Sequence, residues 1–470
     1  MILEPAGGAL VIAAAVLFTR LWPRRRYPLL GMDAPSFLLT GWKIRENGFR
    51  VPKMIDSYLV ERDFDYPPLF PYAVALLPKK HAARLSRFIN PAIDVLHAWL
   101  IAAVAFLLGG VWAGLAAGLM FAVAPVSVYE SFTLNPRPLS ALLTSALLLS
   151  AYKASVSGAP WLFAAAALLF ALVLLAHKMA AQFSAVALVA FAVIFASPAF
   201  VAIAIAGVVL AVILSGGLYL KILRGHFAIL SFWRKNINRR RAFGSARWFA
   251  DSLSKAVLNP WALFAVVFAL TVPLTPAAQF LWAWLAVSLA LFLLSSPKQL
   301  AFLGENHRYL EYSALPAFAL AALFLEANAA SLPVIALSAI FVLGGAFVLC
   351  GAFRKLVNVA GFFNDGRLHE CARFVKKRRE DRLLVLFDAT TFFAYETGKR
   401  VFASGSPVAW EEMPFLVFTD EIWKRLPSVL RDFRIQLIVA RSGDAPRLKG
   451  AGRKIFDNGA YAVFAVKGFK

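Results

Sequence analysis

Apolar residues in this chain fall into long, nearly uncharged runs rather than into alternating or one-faced patterns. A run of about 20 such residues reads as a membrane-spanning helix. Runs of that kind occupy 5–22, 88–108, 111–128, 137–155, 160–177, 182–196, 199–219, 258–275, 277–295, 310–326 and 332–351. Gly109-Gly110 and Ser197-Pro198 separate two of the pairs and read as tight turns. The pattern predicts an all-α polytopic membrane protein with about eleven transmembrane helices. The apolar runs stop after residue 351. Residues 383–387 (LLVLF) and 435–440 (IQLIVA) then read as buried strands, and 421–431 as a helix capped by Asp420. Asp457-Asn458-Gly459 followed by 461–466 reads as a closing hairpin. The expected organisation is a transmembrane domain over 1–355, with a long first loop at 23–87, and a small soluble α/β accessory domain over 365–470.

Composition agrees. The chain has 470 residues, 60% of them hydrophobic, and a mean hydropathy of +0.70, which excludes an ordinary soluble enzyme. The first eight residues carry no basic stretch, and no small-residue cleavage site follows, so the first apolar run is expected to stay as an anchor. Cys350 and Cys371 make neither a disulfide framework nor a zinc site. A net charge of +23 on a membrane protein points to anionic headgroups or lipid phosphates before nucleic acid.

Eleven crossings would put the loops after odd-numbered helices on one face. That face receives 23–87, 129–136, 178–181, 220–257, 296–309 and everything after 351. The other receives only short turns such as 156–159 and 327–331. A transporter needs access from both faces and commonly shows repeated halves; this chain shows no internal repeat. A lipid-phosphate flippase and a non-enzymatic membrane scaffold stand as alternatives, but the scaffold leaves the first loop unexplained. Residues 31–71 are polar, aromatic and Pro-rich, as expected of one wall of an active site at the membrane surface. The segment 220–257 sets Lys221, Arg224, Arg234, Lys235, Arg239, Arg240, Arg241, Arg247 and Lys255 against Asp251 alone. Phe232-Trp233 and Trp248-Phe249 flank the central cluster. Basic residues among aromatics suit a segment lying in the headgroup layer.

Ionisable residues at helix ends supply the candidate chemistry. Asp33 and Glu130 are carboxylates suited to taking a proton or holding a divalent metal. Arg137, Lys178 beside His177, Arg308 and the Tyr309 hydroxyl are donors suited to a phosphate oxygen. Asp65, Tyr66 and Glu305 complete the set as substrate-loop candidates. A carboxylate base with a cationic phosphate clamp meets the needs of glycosyl transfer from a lipid phosphate.

At these residues the chain resembles the GT-C superfamily of integral-membrane glycosyltransferases, of the protein mannosyltransferase and aminoarabinose transferase kind. The resemblance rests on Gly31-Met32-Asp33, Tyr66-Pro67-Pro68-Leu69-Phe70-Pro71, Asn90-Pro91-Ala92-Ile93-Asp94 and Leu134-Asn135-Pro136-Arg137-Pro138. His177-Lys178 with Gln182, and Glu305 with Arg308-Tyr309-Leu310, complete it. It covers roughly the first 350 residues, and a small terminal domain is also typical. It implies a polyprenyl-phosphate-linked sugar as donor and a lipid, glycan or protein acceptor. It further implies Asp33 as base, Glu130 as a second acid, and an active site on the extracytoplasmic face of the cell membrane. Asp33 is a lone acid where the pattern has a pair, which leaves a divalent metal (Mg or Mn) open. Positive-inside bias would instead put the basic face in the cytoplasm; long loops obey that bias poorly, and the resemblance is followed.

Overall fold

The computed structural model describes residues 3–25, 31, 33–60, 63–237, 248–268, 273–402 and 419–466. Arg239, Arg240, Arg241 and Arg247 of the basic segment, and Met32, lie outside them. The chain divides into two compact units. One comprises Met1–Arg25, Phe88–Leu220 and Trp233–Leu356; the other comprises Arg26–Arg87, Lys221–Phe232 and Val357–Lys470.

The first unit is helical. Each of the eleven apolar runs contains a helix, from Leu3–Leu21 at one end to Leu332–Phe363 at the other. By length and composition, fewer of them qualify as crossings. Five stretches are long and apolar enough to span a membrane: Ala6–Arg24, Lys79–Gly109, Arg137–Ser157, Pro276–Leu294 and Leu332–Arg354. Counting each of two bent pairs as one span raises the total to seven among the described residues. The expected eleven is thus not reached by this measure, and helix length is the reason. Pro160–Ala176 and Lys178–Ile194 have 17 residues and Ala314–Ala327 has 14. At about 1.5 Å per residue these rise about 21–26 Å, short of a hydrocarbon core of about 30 Å. The run at 111–128 is broken. Ala124 is extended (φ −64°, ψ 123°) ahead of Pro125, and Val111–Val123 meets Pro125–Ser131 at 53°. A residue before proline is pushed out of the helical region, and proline brings no N–H to continue the ladder. The helix expected at 182–196 begins earlier, at Lys178, and His177 is the extended hinge before it. Small residues allow close packing in this unit: a Cβ on Gly118 would overlap Ile12, and one on Gly207 would lie 2.9 Å from the Ala167 carbonyl.

The second unit is built on five strands: β1 Arg382–Val385, β2 Arg400–Phe402, β3 Leu437–Arg441, β4 Gly452–Asp457 and β5 Tyr461–Val466. Their order is β2-β1-β3-β5-β4. The pairs β1–β2 and β1–β3 are parallel, with Leu384 opposite both Phe402 and Ile438. The pairs β3–β5 and β4–β5 are antiparallel, and the closing hairpin turns at Gly459 (φ 82°). One core gathers Leu384, Phe402, Ile438 and Phe464 with Val429 and, from the first loop, Val60. The helix expected at 421–431 is two helices, Thr419–Lys424 and Leu426–Asp432. Pro427 stands in the first turn of the second and forces a new start there. Asp420, expected as the cap, falls within the range of the first.

Residues 31–71, expected as an irregular loop, contain the helix Asp33–Glu46 and the start of Leu69–Ala75. The remainder is fastened to the sheet. Tyr58 bridges Val401 in parallel, with Leu59 N–H donating to the Val401 carbonyl and Val401 N–H to the Ser57 carbonyl, both at 2.9 Å. Trp42 stacks on Tyr395 with ring centres 4.5 Å apart.

Candidate active site

The first unit brings one polar cluster together from three elements. Glu130 sits in the last turn of Pro125–Ser131, buried to 1% exposure. Arg137 opens the helix Arg137–Ser157 and its guanidinium pairs with the Glu130 carboxylate. The turn between them is held by Asn135, whose amide donates to the Glu130 carbonyl at 2.8 Å while its side-chain oxygen accepts from Arg137 N–H at 2.9 Å. From the short helix His307–Glu311, the His307 imidazole reaches Glu130 at 3.4 Å and Glu305 at 3.7 Å. Arg308 pairs with Glu305 at 3.0 Å. The result is a row in which carboxylates alternate with cationic or protonatable groups, half-buried at the Glu305 end and buried at Glu130.

The other candidates in this unit border the row. Arg308 also touches the Met179 sulfur at 3.5 Å, next to Lys178 at the start of its helix and one residue beyond the His177 hinge. Tyr309 bonds elsewhere. Its hydroxyl donates to the Leu303 carbonyl at 3.1 Å and accepts from Gln182 at 2.9 Å. Burial holds the phenol above its ordinary value, so it stays a neutral donor.

Asp33, Asp65 and Tyr66 belong to the second unit. Asp33 is exposed in the first turn of Asp33–Glu46, where the helix dipole favours an anion. Phe37, one turn on, packs edge-on against Tyr66 (5.8 Å) and Phe70 (5.2 Å). Asp65 lies against Gly225, where any Cβ would overlap its carboxylate, and neighbouring Asp63 pairs with Lys221 at 2.7 Å. The first loop and the start of the basic segment therefore pack on each other.

Sequence reasoning gave no role to His307, although it stood beside Glu305 and Arg308. Arg20 has no place in that reading, and Asp94 enters it only as part of a motif; both lie inside apolar runs and form a buried ion pair at 2.7 Å. A charge within a run of that kind was the available signal. The described residues hold no group of three or more His, Cys, Asp and Glu side chains able to bind a metal ion.

Long apolar helices followed by a small mixed-sheet unit define an integral membrane protein, and its fold is shared by solved membrane proteins. The chain is similar to ArnT from Cupriavidus metallidurans bound to undecaprenyl phosphate. That likeness has a TM-score of 0.65 and 13% identity, and it covers 98% of each chain. It is also similar to the Archaeoglobus fulgidus oligosaccharyltransferase tethered with an acceptor peptide containing the NVT sequon. There the TM-score is 0.62 and the identity 12%, over 99% of this chain and 74% of that one. The archaeal oligosaccharyltransferase AglB, in complex with an inhibitory peptide and a dolichol-phosphate, matches with a TM-score of 0.60 and 12% identity, over 98% and 74%; a complex of the Archaeoglobus oligosaccharyltransferase with Zn and sulfate gives 0.55. No protein-family model and no curated protein matches the sequence.

Proposed function

We propose that this protein is a membrane glycosyltransferase that moves a sugar from a polyprenyl-phosphate-linked donor to a hydroxyl acceptor on a lipid, glycan or protein. The observation that supports it most is the likeness, over 98% of this chain, to two proteins solved with polyprenyl phosphates, joined to a cationic cluster of its own. In this reading the Asp33 carboxylate takes the acceptor hydroxyl proton as that oxygen attacks the anomeric carbon. The bond from that carbon to the phosphate oxygen breaks, and polyprenyl phosphate leaves with the electron pair. Arg137, Lys178 and Arg308 stabilise the departing charge. Glu130 and Glu305 hold the cations in place, and Asp65 and Tyr66 shape the substrate loop. The active face is assigned outside the cytoplasm. Among the described residues a divalent metal finds no ready set of ligands, since Glu130 and Glu305 are engaged by Arg137, His307 and Arg308.

The test is transfer by the purified protein from a polyprenyl-phosphate sugar. Asp33→Asn keeps size and removes charge. It should lower turnover by about 10²–10⁴-fold, the range for a positioned acid–base group. Wild-type turnover in that variant, at normal expression, ends the assignment of Asp33.

A further inference from the structure

The helix Val111–Val123 stops because Pro125 follows, and the stop leaves carbonyls at its end without the next N–H groups of a continuing helix. They are met from the first helix. Thr19 donates its hydroxyl to the Ala122 carbonyl at 2.9 Å. The buried Arg20 guanidinium donates one terminal nitrogen to the same carbonyl and the other to the Phe121 carbonyl at 3.3 Å. Its remaining nitrogen, Nε, donates to Asp94 at 2.7 Å. A cation at a helix C-terminus also meets the negative end of the helix dipole.

We infer that Arg20 and Asp94 are positioning residues: they close the carbonyl end of Val111–Val123 and fix the direction in which Pro125–Ser131 carries Glu130 to Arg137 and His307. Asp94 holds the Arg20 guanidinium in place against those carbonyls. Arginine suits the place because one planar group serves two carbonyls and a carboxylate at once. Lysine keeps the charge but has a single nitrogen. The inference rests on the reading above in one respect, that the Glu130–Arg137–Arg308 row receives a lipid phosphate. The bend itself does not depend on it.

The experiment compares wild type, Arg20→Lys and Thr19→Val in lipid nanodiscs. One readout is affinity for undecaprenyl phosphate; the other is backbone hydrogen exchange along residues 111–137. Arg20→Lys should bind the lipid phosphate about tenfold or more weakly, since small misplacements of a binding constellation are costly. Its exchange should rise in 124–137 while 111–120 stays protected. Thr19→Val, which removes one bond to the same carbonyl, should move both readouts less and in the same direction. Unchanged exchange over 124–137 in both variants overturns the inference, as does a loss of protection spread evenly over the whole helix. Should wild type fail to bind undecaprenyl phosphate at all, the proposed function falls, and the exchange pattern still decides the role of Arg20.

Discussion

Glu130 illustrates how one buried carboxylate organises its neighbours. It is shared by Arg137 and His307, so its removal takes a partner from two groups at once. Glu130→Gln preserves shape and deletes the charge. Breaking a buried ion pair from one side costs about 3–5 kcal/mol, and the expected result is a clear fall in the thermal midpoint together with weaker donor binding. A variant with the wild-type midpoint would show that Arg137 finds another partner and that Glu130 does not order the row. Removing Glu305 should cost far less, because its side chain is 36% exposed and its pairing with Arg308 is screened by water.

Among the elements, the closing hairpin carries a measurable charge effect. The Lys454 ammonium, then the Gly459 N–H and the Ser442 hydroxyl, hold the Asp457 carboxyl down at about 2, below its ordinary 3.8. A lowered acid stabilises the fold above its unfolded value and loses that contribution as pH falls towards the folded one. The difference in thermal midpoint between wild type and Asp457→Asn should therefore be full above pH 4 and vanish near pH 2. A difference that does not change with pH would assign the effect to shape. This hairpin was legible in the sequence because Asp-Asn-Gly has one good conformation between two apolar runs. So were the eleven apolar helices and both central strands. The helix Asp33–Glu46 was not, because its mixed face packs on aromatics from distant segments such as Tyr66 and Tyr395. The number of crossings was not either, since apolar length tells burial and spanning apart poorly when helices are 13–17 residues long. For the site, the sequence named Glu130, Arg137, Glu305 and Arg308, but pairing across a separation such as that from Glu130 to His307 has no local signal.

At the scale of the molecule, the second unit joins the first loop to the terminal sheet. We expect the terminal part, 365–470, to serve acceptor use rather than donor binding. A chain ending near Asn364 would lose the partners of Ser57, Leu59 and Trp42 and with them the order of the Asp33 helix. Transfer should fall to background while binding of undecaprenyl phosphate persists, as measured on the truncated protein in nanodiscs. Loss of that binding in a truncation whose helices remain folded would place donor recognition in the second unit and reverse the division of labour.

The bridge between Tyr58 and Val401 also sets an order of events during synthesis. A growing chain exposes residues 57–59 long before β2 exists, and domains form as their residues emerge. Until Val401 arrives, Ser57 and Leu59 have no strand to join, and until they join it β2 presents a bare edge of the kind that invites pairing with another chain. Each masks the other's exposed backbone. The Asp33 helix is thus fixed only when the last domain has been made, so a nascent chain arrested before β2 should hold its helices in the membrane yet keep residues 47–66 open to protease.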